Sequence, residues 1–114
     1  MNQAWEVEFF PDQIRADLET GLTPKQIAQL FRNLKRLEEH GPNLGSNYFA
    51  PVRGSKQGIK EFRVSVQDCD LRFLYHLDGS TYVMLHCFKK GSGKRLRQQV
   101  RTAERRWLAR KGAQ

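Results

Sequence analysis

Residues 59–88 read IKEFRVSVQDCDLRFLYHLDGSTYVMLHCF, and this run decides the fold. Apolar and polar residues alternate along 59–66, 71–77 and 81–88, the pattern of half-buried strands. Polar residues 67–70 separate the first two stretches. Asp78-Gly79 separates the last two and is a two-residue hairpin signal, since both residues tolerate positive φ. The run therefore predicts a three-stranded antiparallel meander. Pairing Leu77 with Ser80 sets Tyr75 against Tyr82, Phe73 against Met84 and Arg72 against Leu85. Pairing Val66 with Leu71 sets Val64 against Phe73 and Ser65 against Arg72. Opposed residues share a face, so Phe62, Val64, Val66, Leu71, Phe73, Tyr75, Tyr82, Met84 and Phe88 form a core face for the helices. Glu61, Arg63, Ser65, Arg72, His76 and Lys89 lie on the other, beside Leu74, Val83, Leu85 and Cys87. By the same parity His86 points to the core. A one-residue slip would bury Arg63 and Arg72 in place of Phe62 and Phe73, which desolvation disfavours.

Upstream, residues 5–10 (WEVEFF) alternate as a strand with Trp5, Val7 and Phe9 on one side and Glu6 and Glu8 on the other. A short helix follows from Pro11-Asp12 through Ile14 and Leu18 to Gly21. Thr23, Pro24 and Gln26 then form a helix start with a capping box. Ile27, Leu30, Phe31, Leu34 and Leu37 make its apolar stripe, and Gly41-Pro42 stops it. Residues 41–58 are rich in Gly, Asn, Pro and Ser and read as a long loop. Downstream, Leu96, Val100, Ala103 and Trp107 fall on one line of a terminal helix, with Lys94, Arg97, Arg101 and Arg105 on a neighbouring stripe. The fold expected is α+β: an N-terminal strand, two helices, the meander and a basic C-terminal helix, built on one mainly antiparallel sheet.

The 114 residues suffice for a single domain, 1–114, and at 39% hydrophobic content can bury a core. No apolar run approaches the ~20 residues of a membrane span. No basic region leads into an apolar stretch at Met1 to Glu8, so no secretory signal is expected. A cytoplasmic protein is the expectation, with no membrane partner. Cys69 and Cys87 stand outside any CxxC pattern, and His40, His76 and His86 have no ligand spacing, so neither a disulfide framework nor a zinc site is expected, and no cofactor. FKKGSGKR at 88–95 lacks the first Gly and the final Ser or Thr of a phosphate-binding loop, which discards nucleotide hydrolysis.

Charge points to a partner. The net charge is +8, and the pI is near 9.9. Residues 1–50 carry 5 basic and 7 acidic side chains, whereas residues 51–114 carry 15 and 5. Such a half meets polyanions, because each neutralised phosphate releases counterions. Arg63 and Arg72, beside Glu61, His76 and Lys89, outline a cationic groove able to hold a phosphodiester.

These residues resemble a known family. Pro51-Val52-Arg53-Gly54 and Gly58-Ile59-Lys60-Glu61-Phe62-Arg63-Val64 are similar to its P-L-K-G … G-L-x-E-L-R segment. Leu71-Arg72-Phe73-Leu74-Tyr75 is similar to Y-R-x-x-Y. Residues 83–90 (VMLHCFKK), with Lys94, Val100 and Ala103 behind, are similar to I-x-L-L-H-x-F-x-K-K … K-x-x … I-x-x-A. Arg95-Leu96 replace the family's Thr-Pro, and Gln99 replaces its Glu. The family is the phage-derived, HigB-like branch of the RelE/ParE toxin superfamily. The resemblance implies a RelE-like toxin of a type II toxin–antitoxin system, with a helix-turn-helix antitoxin as partner. It also implies ribosome-dependent mRNA endonuclease activity that inhibits translation, by metal-independent 2′-hydroxyl attack on the adjacent phosphate. Carried over by position, Arg63 and Arg72 would steady the phosphate, and Lys89 or Lys90 would sit near the leaving oxygen. Glu61 stands where RelE has a lysine. Arg53, Lys56, Lys94, Arg97 and Arg101 would bind RNA. Two other readings stand beside this one: a ParE-like inhibitor of DNA gyrase, and a basic nucleic-acid-binding module without catalysis.

Overall fold

In the computed structural model, which describes residues 4–91 and 95–112, the central run folds as a meander of three antiparallel strands. These are β3 (Lys60–Val66), β4 (Cys69–Asp78) and β5 (Thr81–Lys89), preceded by β1 (Glu6–Phe9), α1 (Gln13–Gly21), α2 (Pro24–His40) and β2 (Phe49–Pro51). The chain ends in α3 (Leu96–Gly112). The fold is α+β, with three helices and one mixed five-stranded sheet in the order β1-β5-β4-β3-β2.

The expectation of a mainly antiparallel sheet needs two corrections. β1 pairs with β5 in parallel. The two intervening helices return the chain to start a new strand at the far edge, so β1 and β5 run the same way. The segment expected to be a loop also contains a strand. Within it β2 pairs antiparallel to β3, Phe49 facing Phe62 and Pro51 facing Lys60. With three residues, the last a proline, it has no alternation to read and sits where proline is tolerated, on an edge.

The first hairpin is tighter than expected, and the second keeps a two-residue turn but makes it one residue later. Val66 faces Cys69 and Asp78 faces Thr81, leaving only Gln67-Asp68 and Gly79-Ser80 as turns. Asp68 and Gly79 supply the positive φ, 59° and 60°. Each pairing is thereby displaced two residues, which preserves the faces: Arg63 faces Arg72 directly, and Leu77 faces Tyr82.

A bulge changes the faces beyond Leu85. Tyr75 pairs with Met84 but Leu74 with His86, so one extra residue is taken up in β5. Past that point the parity reverses. Phe88 and His86 therefore lie on the Arg72 face rather than the core face, and Cys87 and Lys89 lie on the other, against expectation.

The core has two layers. α1 and α2 cover the face of Phe62, Val64, Phe73, Tyr75, Tyr82 and Met84, where Leu30 and Leu37 are fully buried. α2 begins at the expected capping box, Thr23 and Gln26 bonding reciprocally. It ends at Gly41, whose φ is 54°, and the ring of Trp5 packs so close that a Cβ there would lie 2.3 Å from the indole nitrogen. α3 covers part of the opposite face. Val100, Ala103 and Trp107 pack on Ile59, Leu74, Val83 and Leu85, with Phe10, Val52 and Phe88 around them. Leu96, expected on the same line, is half exposed.

Candidate functional site

Where α3 leaves the second face open, Glu61, Arg63 and Arg72 come together. Glu61 and Arg63 are two apart on β3 and so share a face, and the directly opposed Arg72 joins them from β4. One carboxylate oxygen, Glu61 Oε1, accepts from Arg63 Nε at 2.9 Å and from Arg72 on the neighbouring strand. Exposure grades across the cluster: 9% for the Glu61 side chain, 16% for Arg72 and 47% for Arg63. Two guanidiniums on adjacent strands repel; the buried carboxylate offsets that and orients both. With one anion against two cations, the cluster keeps a net positive charge facing solvent. Arg63 and Arg72 border a cleft of about 360 Å³ with Asn33, Asn47, Tyr48, Ser65 and Asp70, whose carboxylate accepts from the Ser65 hydroxyl (2.7 Å), at the part of the β3 edge that β2 does not reach. Two guanidiniums fixed on adjacent strands at the wall of a hydrogen-bonding cleft suit a phosphodiester oxygen.

The remaining expected residues are more scattered. Lys89 faces Leu71, on the opposite side of the sheet from Arg72, because of the bulge. Lys90 follows it and bonds through its N–H to the Asp70 carbonyl (2.9 Å). Both lysines are exposed at the lip of a shallow cleft with Asp68 and Asp70. His76 stacks on Trp107, ring centroids 3.9 Å apart and planes within 9°, as part of the α3 contact. Arg97 and Arg101 are exposed on α3 and line a surface hollow with Arg95 and Gln98. Lys94 lies outside the described residues. Arg53 and Lys56 sit in the loop before β3, exposed. That loop is tied to α3 by Glu104, whose Oε2 accepts from the Lys56 and Gln57 N–H groups (2.8 and 3.3 Å) and the Ser55 hydroxyl (3.0 Å).

Sequence reasoning missed a second polar group, His86–Gln99–Arg106. Arg106 donates from one terminal nitrogen to the Leu85 carbonyl (2.8 Å) and to His86 Nδ1 (3.3 Å). Arginine has no acceptor, so Nδ1 is the bare nitrogen and Nε2–H donates to Gln99 Oε1. Burial, then the neighbouring Arg105, lowers the Arg106 pKa from its ordinary value, with Asp17 opposing. One signal was available in the chain. Gln99 sits beside Val100 on the helix line of Ala103 and Trp107, and a buried amide requires a partner.

No helix among the described residues is long and apolar enough to cross a membrane. Neither a curated protein nor a solved structure matches the chain. The family model of phage-derived Gp49-like proteins (DUF891) does match, over residues 19–108. That span takes in α2, all three strands of the meander, the Glu61–Arg63–Arg72 cluster and most of α3. The chain thus belongs to the phage-derived Gp49-like (DUF891) family, one of the RelE/ParE-like toxins.

Proposed function

We propose that this protein is the toxin of a type II toxin–antitoxin pair, of the HigB-like branch, and that it cleaves mRNA on the ribosome. The observation that carries the reading is the pair of directly opposed arginines, Arg63 and Arg72, held by one buried carboxylate on rigid strands. In the step envisaged, the 2′-hydroxyl gives its proton to solvent and its oxygen bonds to phosphorus while the bond to the 5′-oxygen breaks. The departing 5′-oxygen takes up a proton from solvent, leaving a 2′,3′-cyclic phosphate and a 5′-hydroxyl. Charge builds on the phosphate oxygens, and guanidiniums already fixed in place stabilise it without reorganising. Glu61 has both arginines on one oxygen, which fits a positioning role better than that of general base. The exposed arginines of α3 would contribute counterion release instead. The partner would be a helix-turn-helix antitoxin whose acidic stretch covers these cations, speeding association.

The test is primer extension on translating ribosomes at saturating protein. Arg72→Ala should lose about 100-fold in cleavage, the scale of one lost oxyanion-type donor, with ribosome association kept. Arg97→Ala should weaken association several-fold and spare single-turnover cleavage. Equal losses through affinity alone would favour a basic binding module. Continued methionine incorporation with arrested DNA synthesis on expression would favour gyrase inhibition.

A further inference from the structure

The cleft between α1, the end of β5 and α3 belongs to no part of the cluster above. Topology creates it. β1 ends at Phe9, and the last bond to β5 runs from the Phe10 N–H to the Met84 carbonyl (2.9 Å). Residues 86–89 of β5 therefore have a strand neighbour on the β4 side only. α1 flanks the open edge from one side of the sheet and α3 from the other, enclosing about 410 Å³.

Its lining is chemically divided. Ile14 and Leu18 of α1 give an apolar wall, and Phe88 lies stacked near His86 at 5.9 Å between centroids. Gln13 and Gln99 bring side-chain amides, while Arg106 and Lys89 bring positive charge. Asp17 of α1 also lines the cleft and acts on Arg106 at longer range, but half-buried Arg106 closes no ion pair with it or with any other carboxylate among the described residues. A desolvated guanidinium with unused donors favours an oxyanion that can meet it at two points. An anion alone would leave the aromatic and apolar surfaces without a role. A nucleotide uses all three: a phosphate for the cations, a π-face for Phe88, and a base edge for the amides. The volume lies at the small end of ligand sites, suited to one nucleotide and too small for a helix.

We propose that this cleft binds a single ribonucleotide, its phosphate at Arg106 and Lys89 and its base on Phe88. The proposal rests on the RNA-cleaving reading and extends it. Phe88 directly faces Arg72, and Leu71 borders both clefts, so the bound nucleotide would neighbour the phosphate held by Arg63 and Arg72.

The experiment is a titration of the isotope-labelled full chain, followed by NMR, with the four ribonucleoside 5′-monophosphates, the four nucleosides and inorganic phosphate. At least one monophosphate should shift the side-chain signals of His86, Gln99 and Arg106 and bind at least ten-fold more tightly than its nucleoside or phosphate. Phe88→Leu, which keeps apolar volume, and the exposed Lys89→Gln should each weaken it at least five-fold, and Lys35→Gln should not. Equal affinity for inorganic phosphate would overturn the proposal in favour of a simple anion site. Shifts confined to Arg97 and Arg101, or none at all, would also overturn it. Because binding is read without ribosomes, a chain that binds nucleotide but cleaves no mRNA removes the cleavage reading alone. Cleavage without nucleotide binding removes the cleft alone.

Discussion

At the scale of single residues, Glu61 decides whether two arginines can stand side by side. It is buried, and its Oε1 alone meets both guanidiniums. Removing a buried partner strands the charges that faced it, which costs several kcal/mol in full burial. Here Arg63 is half exposed, so solvent screens its share. Glu61→Ala should therefore lower the unfolding free energy by about 2–3 kcal/mol, measured in urea. The sharper outcome is in the double variant. If repulsion between the arginines is the main penalty, Glu61→Ala with Arg72→Ala should be more stable than Glu61→Ala alone, by about 1 kcal/mol. A double variant that only adds the two losses would mean that the carboxylate matters through its own bonds and not through the pair it separates. Arg72, with 16% of its side chain exposed, is the better-fixed donor and the one whose loss cleavage should feel most.

Among elements, the least conspicuous acid in the basic half has the largest structural reach. Glu104 is the lone acidic residue from Lys89 to Gln114, and it ties the loop carrying Arg53 and Lys56 to α3. Ser55 relays the tie, since its hydroxyl also accepts from the Ile59 N–H (3.0 Å) at the start of β3. Glu104→Ala should release that loop, so that trypsin cuts after Arg53 and Lys56 several-fold faster while helix content measured by circular dichroism stays the same. Unchanged cleavage there would show that packing of Val52 and Ile59 holds the loop unaided. How far such elements could be read from the chain depended on whether local pattern determined them. α2 was legible from Thr23, Pro24 and Gln26 because a cap is a short-range device. The faces of β3 and of β4 were legible because burying Arg63 in place of Phe62 is costly whatever the register. The bulge after Met84 was not, since one extra residue leaves no mark in a run as apolar as VMLHCF. That single residue placed Lys89 away from Arg72 and brought His86 to Gln99. Arg63 and Arg72 were thus found from the sequence, whereas the cleft at Arg106 needed the fold.

For the whole molecule, alkaline pH tests the packing and salt tests the charge. The Cys87 thiol is pushed up from 9.0 to about 12 by burial first and by Cys69 second. The Tyr75 hydroxyl is pushed up from 10.0 to about 12 by burial and then by Tyr82. Unfolded, each ionises at its ordinary value, so stability is full below pH 9 and is lost as pH climbs toward 12. By pH 11 the loss should be on the order of 3 kcal/mol, and Cys87→Ala should delay its onset toward pH 10; a flat stability profile from pH 8 to 11 would contradict this burial. The basic charge needs a similar division, because not every cation is available to a polyanion. Arg110 is held by Glu8 at 2.7 and 2.9 Å and by Asp78 at 2.8 Å, and its pKa is raised, chiefly by the Glu8 bond. It fastens the end of α3 to β1 and to the hairpin between β4 and β5. Arg97 and Arg101 are exposed and have no such partners among the described residues. Each phosphate contact to single-stranded nucleic acid contributes about 0.7 to the slope of log affinity against log salt. Substituting Arg97 and Arg101 together by Gln should therefore flatten that slope by about 1.4 for a single-stranded RNA oligonucleotide. Arg110→Gln should leave the slope unchanged while lowering the thermal midpoint, since it breaks an internal tie and no phosphate contact. If Arg110→Gln flattened the slope as much as the double substitution, net charge alone would be drawing RNA to the chain, and the exposed face of α3 would have no special part in it.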